Sequence, residues 1–166
     1  QCVPGATGPF QSRNVSSARI YSVEAKAAWR FAPGWTAQAA FSVPRGDDTG
    51  KDVPLNSIEP PRIVAGIGYE APIWGAALHV THAAEQTRVD KTSAVTFVPP
   101  AWTTADLTAW VKPHPSLEIA AGVFNLADEK YWLWSDVRGL TNVPVASIDR
   151  YTQPGRNYGI NARWRF

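Results

Sequence analysis

The feature that most restricts what this chain can fold into is a period of two that recurs through most of its length. The last stretch, "RNYGINARWRF", puts Tyr158, Ile160, Ala162, Trp164 and Phe166 in one phase and Asn157, Gly159, Asn161, Arg163 and Arg165 in the other. Successive side chains of an extended strand point to opposite faces, so this is a strand with one apolar and one polar face. "ARIYSVEAKAAWRF" repeats the pattern, with Tyr21, Val23, Ala25, Ala27, Trp29 and Phe31 against Ser22, Glu24, Lys26, Ala28 and Arg30. "WTAQAAFSV", "RIVAGIGYE" and "WGAALHVTH" follow suit, and "TTADLTAWV" and "LEIAAGVFN" bring the set to about seven strands.

The connections alternate as well. "APG", "API" and "KPHPS" are tight turns, whereas "PRGDDTGKDVPLNS", the stretch from about Glu85 to Pro100, and "YWLWSDVRGLTNVPVASIDRYTQPG" are long. Short turns on one side, long loops on the other and strands long enough to cross a bilayer at a tilt describe an outer-membrane β-barrel. With the short turns on the periplasmic side, Trp29, Phe31, Trp35, Tyr69 and Trp74 fall at the periplasmic ends of their strands, with Trp164 and Phe166, and are expected to form an aromatic girdle. Tyr21, Phe41 and Tyr158 lie near the opposite ends and suit an outer girdle. The polar phase carries Glu24, Lys26, Arg30, Arg62, Glu70, Asp106, Glu118, Arg163 and Arg165. These charges are costly in a sandwich core and ordinary in a wet lumen. The apolar phase is rich in Ala, thin for a packed core but adequate against lipid. The expected fold is all-β: an antiparallel transmembrane barrel segment with long extracellular loops and short periplasmic turns.

Composition removes other classes. A net charge of +2 over 166 residues gives no strong field for nucleic acid. Hydrophobic residues make up 45 % of the chain, yet no run reaches the length of a membrane helix. There is no Met, even at position 1, and no signal peptide precedes Gln1, so the chain is expected to be a mature segment or a piece of something longer. Cys2, the only cysteine, has no partner within the chain: it pairs elsewhere or stands free near a ragged end.

No nucleophile elbow, phosphate-cradling glycine loop or metal-ligand cluster is present in the sequence, and no enzymatic activity is expected. Five residues are candidates for ligand contact. His79 is in the lumen phase, and His82 sits near the outer rim, out of phase with it; a third histidine, His114, lies in the turn "KPHPS". A lone His is a weak sign of a metal site. Tyr131, Trp132 and Trp134 in "KYWLWSD" follow the penultimate strand, where aromatics can stack on a flat ligand, meet a protein partner or act as interface anchors. Asp47, Asp48 and Asp52 lack the full calcium-loop pattern and are expected on a solvated loop. "NVS" at Asn14 matches a glycosylation acceptor and is read as a chance match.

Several ordered stretches resemble the C-terminal part of TonB-dependent outer-membrane receptors. "VFNLADEKYWLW" resembles that family's late NL-D-Y segment, "RYTQPGRNYGINARWRF" its PGR element leading into the last strand, and "NVSSARIYSVE" its strand entry, with Ser22 where the family often has Gly. "GDDTGKDVPLNSIEPPRIVAGIGYEAPIWG" and "YWLWSDVRG" are most similar to the heme and hemoglobin receptor branch. The resemblance implies that residues 1–166 are about seven C-terminal strands of a barrel of about 22 strands with a plugged lumen. The plug and the TonB-contacting region would lie upstream. It further implies energised uptake of heme as cargo, no cofactor held by this segment, and TonB, the barrel assembly machinery and outer-membrane lipid as partners. The phase of Tyr158, Ile160, Ala162, Trp164 and Phe166 resembles the barrel-closing strand that the assembly machinery reads. By the same reading, the segment alone neither binds nor transports. The rivals are a ferric-siderophore receptor of the same family, a small complete barrel with a structural or adhesion role, which would need an eighth strand absent from residues 1–12, and a soluble β-sandwich.

Overall fold

The computed structural model describes residues 17–92, 95, 97–140 and 143–166. The readings of Cys2, Asn14 and the tail 1–12 lie outside the described residues. The strands are β1 (Ala18–Ala32), β2 (Trp35–Asp48), β3 (Val53–Pro54), β4 (Arg62–Glu70), β5 (Trp74–Ala83), β6 (Trp102–His114), β7 (Leu117–Phe124) and β8 (Asn157–Trp164). One antiparallel sheet holds them in the order β1-β2-β4-β5-β6-β7-β8, with β3 paired to β2. Apart from β3, every strand pairs with its neighbours in sequence, an up-and-down wall whose two outer strands are β1 and β8. The eighth strand is a two-residue ladder inside a long loop, so the wall itself has seven.

Register fixes the faces. Glu24 stands opposite Ser42, Ser42 opposite Arg62 and Arg62 opposite Ala83. Gln38, Gly66, His79 and Asp106 form another row across four strands. Glu118 faces Arg163 across β7 and β8. The polar phase of every strand therefore reaches one face, as the pleat demands. On the other face stand Val23, Ile63, Ile67, Leu78, Leu107, Val111, Tyr158 and Ile160, all exposed; Ile160 is 81 % exposed. A soluble domain does not leave so wide an apolar face open. Across lipid the same face is satisfied. Among the described residues no helix is long and apolar enough to cross a membrane.

The aromatic side chains at the short-turn ends form one row of ring contacts. Centroid separations run 5.4 Å for Trp29–Phe31, 6.0 Å for Phe31–Trp35, 5.1 Å for Trp35–Tyr69 and 5.0 Å for Tyr69–Trp74. Gly34, at φ 78°, makes the first turn possible: a Cβ there would come within 2.5 Å of the Glu70 carbonyl oxygen. At the same end of the wall, further along the sheet beside the β6–β7 turn, Trp164 stacks on His114 with centroids 6.2 Å apart.

Two local readings are corrected. "PRGDD" is not loop but the outer half of β2, paired with Ala18–Ser22 of β1. Pro44 is tolerated there because it lies in the gap between the end of β4 pairing at Ser42 and the start of β3 pairing at Asp47. Asp47 and Asp48 are accordingly not on a solvated loop: Asp48 is 5 % exposed and accepts from the Gly50 and Lys51 backbone N–H groups at 2.9 and 3.1 Å, and Asp47 pairs with Arg88. His114 likewise ends β6 instead of occupying the turn, and its Nδ1 accepts from the Ser116 N–H at 3.2 Å. In both places the ladder continues past the last apolar residue, which is where a period-two reading stops.

Candidate functional site at the mouth of the lumen

The buried side chains gather at the long-loop end of the wall. Ala83, Trp102, Trp134, Val137 and Ile148 are the buried apolar residues among those described, and three of them belong to the connection between β7 and β8. That connection holds a four-residue helix α1 (Trp134–Val137) and a 3-10 helix (Val145–Tyr151). It is fixed at its root by Asn125, which is 3 % exposed. The Asn125 amide Nδ2 donates to the Glu129 and Pro154 carbonyls at 2.8 and 3.3 Å, and Oδ1 accepts from the Glu129 N–H at 2.9 Å. Asp128 Oδ1 accepts from the Arg156 N–H at 2.7 Å. Asn125 and Asp128 both hold φ near the left-handed region, 52° and 56°, which Asn and Asp tolerate best among residues with a Cβ. Gly155 lets the carboxylate approach: a Cβ there would lie 2.6 Å from Asp128 Oδ1. The two stretches "FNLADE" and "QPGR" are thus halves of one clasp.

The clasp delivers Tyr131 to the lumen side of the wall. Its ring lies 4.4 Å from Trp102, whose own ring is capped by the Arg62 guanidinium at 5.6 Å. Asp106, four residues further along β6 on the same face, accepts from the Asn125 N–H at 2.8 Å. Burial and then the Asp106 carboxylate raise the Tyr131 phenol above its ordinary value, with Arg62 pulling the other way. A layer of guanidinium, indole and neutral phenol results, able to stack a flat conjugated molecule and to meet an anionic substituent.

A raised phenol pKa means the folded state holds this proton more tightly than the unfolded chain. Its contribution to stability is therefore constant below about pH 10 and is lost as pH rises through the folded value. Tyr131→Phe is expected to remove that alkaline slope while leaving stability at neutral pH within about 1 kcal/mol. Thermal melts of wild type and variant between pH 8 and 11 check this, and parallel curves would contradict the assignment.

The five ligand candidates do not share one place. Tyr131 and His79 both neighbour Asp106, His79 directly across the β5–β6 ladder, and the His79 ring nitrogen Nε2 lies 2.9 Å from Gln38 Nε2. His82, three residues on, is on the outward face, its Nδ1 2.9 Å from Thr103 Oγ1. Trp132 packs on Phe97 at 5.1 Å and donates to the Ile148 carbonyl at 3.0 Å. Trp134 is 1 % exposed and donates to the Asn56 carbonyl at 2.9 Å. Arg62, Trp102 and Asn125 were not singled out from sequence as parts of a site. Arg62 and Asp106 were visible as polar-phase charges; nothing local marks that they flank Tyr131. Among the described residues no group of three or more His, Cys, Asp or Glu is placed to hold a metal ion.

Below the mouth the lumen wall is hollow. Gly68, Ala77, Thr108, Gly122 and Gly159 form a row of small residues across five strands, lining a cavity of about 680 Å³ with Trp110 and Phe124 at its borders.

An open antiparallel wall, apolar outside and charged inside, with interlocked outer loops, defines a segment of an outer-membrane barrel. Residues 1–126 match the family described as TonB dependent receptor-like, beta-barrel, and the chain belongs to it. This places it in the outer membrane of a Gram-negative bacterium. The chain is 29 % identical to the hemoglobin and hemoglobin-haptoglobin-binding protein of Haemophilus ducreyi, over 95 % of its own length and 20 % of the relative's. Of solved structures, the copper transporter OprC superposes with a TM-score of 0.80 at 21 % identity, covering 90 % of this chain and 24 % of that one. The ferric enterobactin receptor PfeA of Pseudomonas aeruginosa does so at 0.71 and 16 %, covering 92 % and 23 %. At such identities the structures establish the fold alone. The chain spans about a fifth of the length of the curated relatives it matches.

Proposed function

We propose that this chain is the C-terminal barrel wall of a TonB-dependent receptor that takes up heme, including heme drawn from hemoglobin. The supporting observation is the match to a hemoglobin-binding protein along 95 % of the chain. The Arg62–Trp102–Tyr131 layer is compatible with a flat, anionic cargo. In this reading the segment supplies wall, outer loops and the terminal strand, while the plug and the TonB contact lie in sequence outside it. Energy comes from TonB, and the wall is inserted by the barrel assembly machinery against outer-membrane lipid.

The test is growth. A siderophore-deficient strain that makes its own heme but has no other heme receptor, expressing the full receptor under iron restriction, should grow on hemoglobin or heme as iron source, and should stop when the receptor gene or the TonB gene is deleted. Growth restored by ferric siderophore and not by heme would replace the heme reading with a siderophore receptor.

A further inference from the structure

The outward face of the wall is almost free of formal charge, and the exceptions are gathered in one place. Along β1, β2 and β4 to β8 the outward phase carries three charged residues: Arg19, Arg45 and Asp47. All three sit at the long-loop end of the β1–β2 pair, where Arg19 faces Asp47 and Tyr21 faces Arg45. Arg88, from the next long loop, reaches over and pairs with Asp47. Asp47 is thereby spoken for. Arg19 and Arg45 are exposed and, among the described residues, form no ion pair. They are diagonal neighbours on one face, about 7–8 Å apart at their backbones.

Their height is informative. Ten residues separate Arg19 from Trp29 on β1, and ten separate Arg45 from Trp35 on β2. At about 3.3 Å per residue and a tilt of about 40°, both arginines rise about 25 Å above the aromatic row, the height of the apolar band on such barrels. Between row and arginines the outward face is Ala27, Ala25, Val23 and Tyr21 on β1 and Ala37, Ala39, Phe41 and Val43 on β2. The guanidinium groups therefore stand where acyl chains give way to headgroups, on the side away from the short turns. Arginine stems can lie along apolar surface with their heads in that layer. A guanidinium is suited to phosphate by its fork of donors, and two that form no ion pair among the described residues complement a doubly charged headgroup.

We propose that Arg19 and Arg45, with Arg88 beside them, form a binding site for the phosphate groups of an anionic glycolipid in the outer leaflet. The site is outside the lumen and independent of the transported cargo; it rests on the lipid-facing assignment of this face.

The experiment uses the full receptor purified in detergent and titrated with diphosphoryl lipid A, binding being followed by native mass spectrometry. Arg19→Ala with Arg45→Ala should weaken binding roughly thirtyfold, since each arginine near an anionic lipid surface contributes about a factor of five. Arg19→Lys with Arg45→Lys should retain most of the affinity. Wild type should bind dephosphorylated lipid A as weakly as the alanine variant binds the phosphorylated form. Within wild type alone, weaker binding of dephosphorylated than of diphosphoryl lipid A tests the site even if the alanine variant does not reach the heat-modifiable folded form. Equal binding of phosphorylated and dephosphorylated lipid by wild type, or equal binding of diphosphoryl lipid A by wild type and a folded alanine variant, would overturn the site. Displacement of the lipid by an equal concentration of inorganic phosphate would overturn it too, reassigning the cluster to a free anion.

Discussion

Asn125→Leu should destabilise the receptor barrel by roughly 3 kcal/mol and lower the fraction that reaches the heat-modifiable folded form. The side-chain amide satisfies three backbone partners, the Glu129 N–H and the Glu129 and Pro154 carbonyls, in a place that is 3 % exposed. Leu offers none of these bonds and adds the strain of a branched side chain at φ 52°. The consequence extends beyond the loop. Residues 125–156 separate β7 from β8, a length over which chain connectivity alone does not fix register. The clasp brings Pro154 and Arg156 to Asn125 and Asp128 and so sets Phe124 opposite Asn157. A slip of one residue would turn Tyr158, Ile160, Ala162 and Trp164 into the lumen. Asn125→Gly separates the causes: it keeps the backbone conformation and loses only the amide, so it should cost about 2 kcal/mol. Melting temperatures for both variants that match wild type would end this account.

Trp134→Ala should open the outer loops while leaving the wall intact. Its ring is 1 % exposed and its Nε1 donates to the Asn56 carbonyl in the loop between β2 and β4. Asn56 Oδ1 in turn accepts from the Asp90 N–H at 2.8 Å, and Gln86 Nε2 donates to the Ile58 carbonyl at 2.7 Å. Three long connections thus hold one another, and the buried Trp134 indole joins the β7–β8 connection to the β2–β4 loop. Removing it should cost about 3–5 kcal/mol of local stability, by lost burial and the cavity left behind. The strands keep their ladders, so the barrel melt should move by only a few degrees. Limited trypsin digestion of intact cells should show cleavage in the loops at least tenfold faster, at Lys51, Arg88 or Arg138. Unchanged cleavage would mean that the loops are held by something other than Trp134.

Much of the wall could be read directly from the chain. Alternation assigned each strand's faces because side-chain direction in a strand depends on parity alone. The places of the short turns were legible too, since Pro and Gly act through local φ, although "KPHPS" was read too long: Lys112, Pro113 and His114 belong to β6. Where reading stopped short, the cause was pairing: "PRGDD" has no apolar alternation, and only the presence of β1 alongside draws it into strand.

The site was less legible. Tyr131, Trp132 and Trp134 are near neighbours in sequence, yet they meet Trp102, Phe97 and Asn56 respectively. The Trp134 bond to Asn56 spans 78 positions. His79 and His82 fall on opposite faces, as their odd spacing requires, but the Gln38 and Thr103 contacts come from strand register.

What the sequence by itself determined is everything that repeats with the pleat: the number of wall strands, the apolar and charged faces, and which ends carry short turns. Those follow from backbone geometry over a few residues. What only the tertiary structure decided is how the long loops close on one another, that Asn125 and Asp128 grip the Pro154–Arg156 stretch, and that Arg62, Trp102 and Tyr131 stack into one layer. These contacts join residues far apart along a chain whose loops carry no period, and they exist only once the sheet has brought its strand ends together.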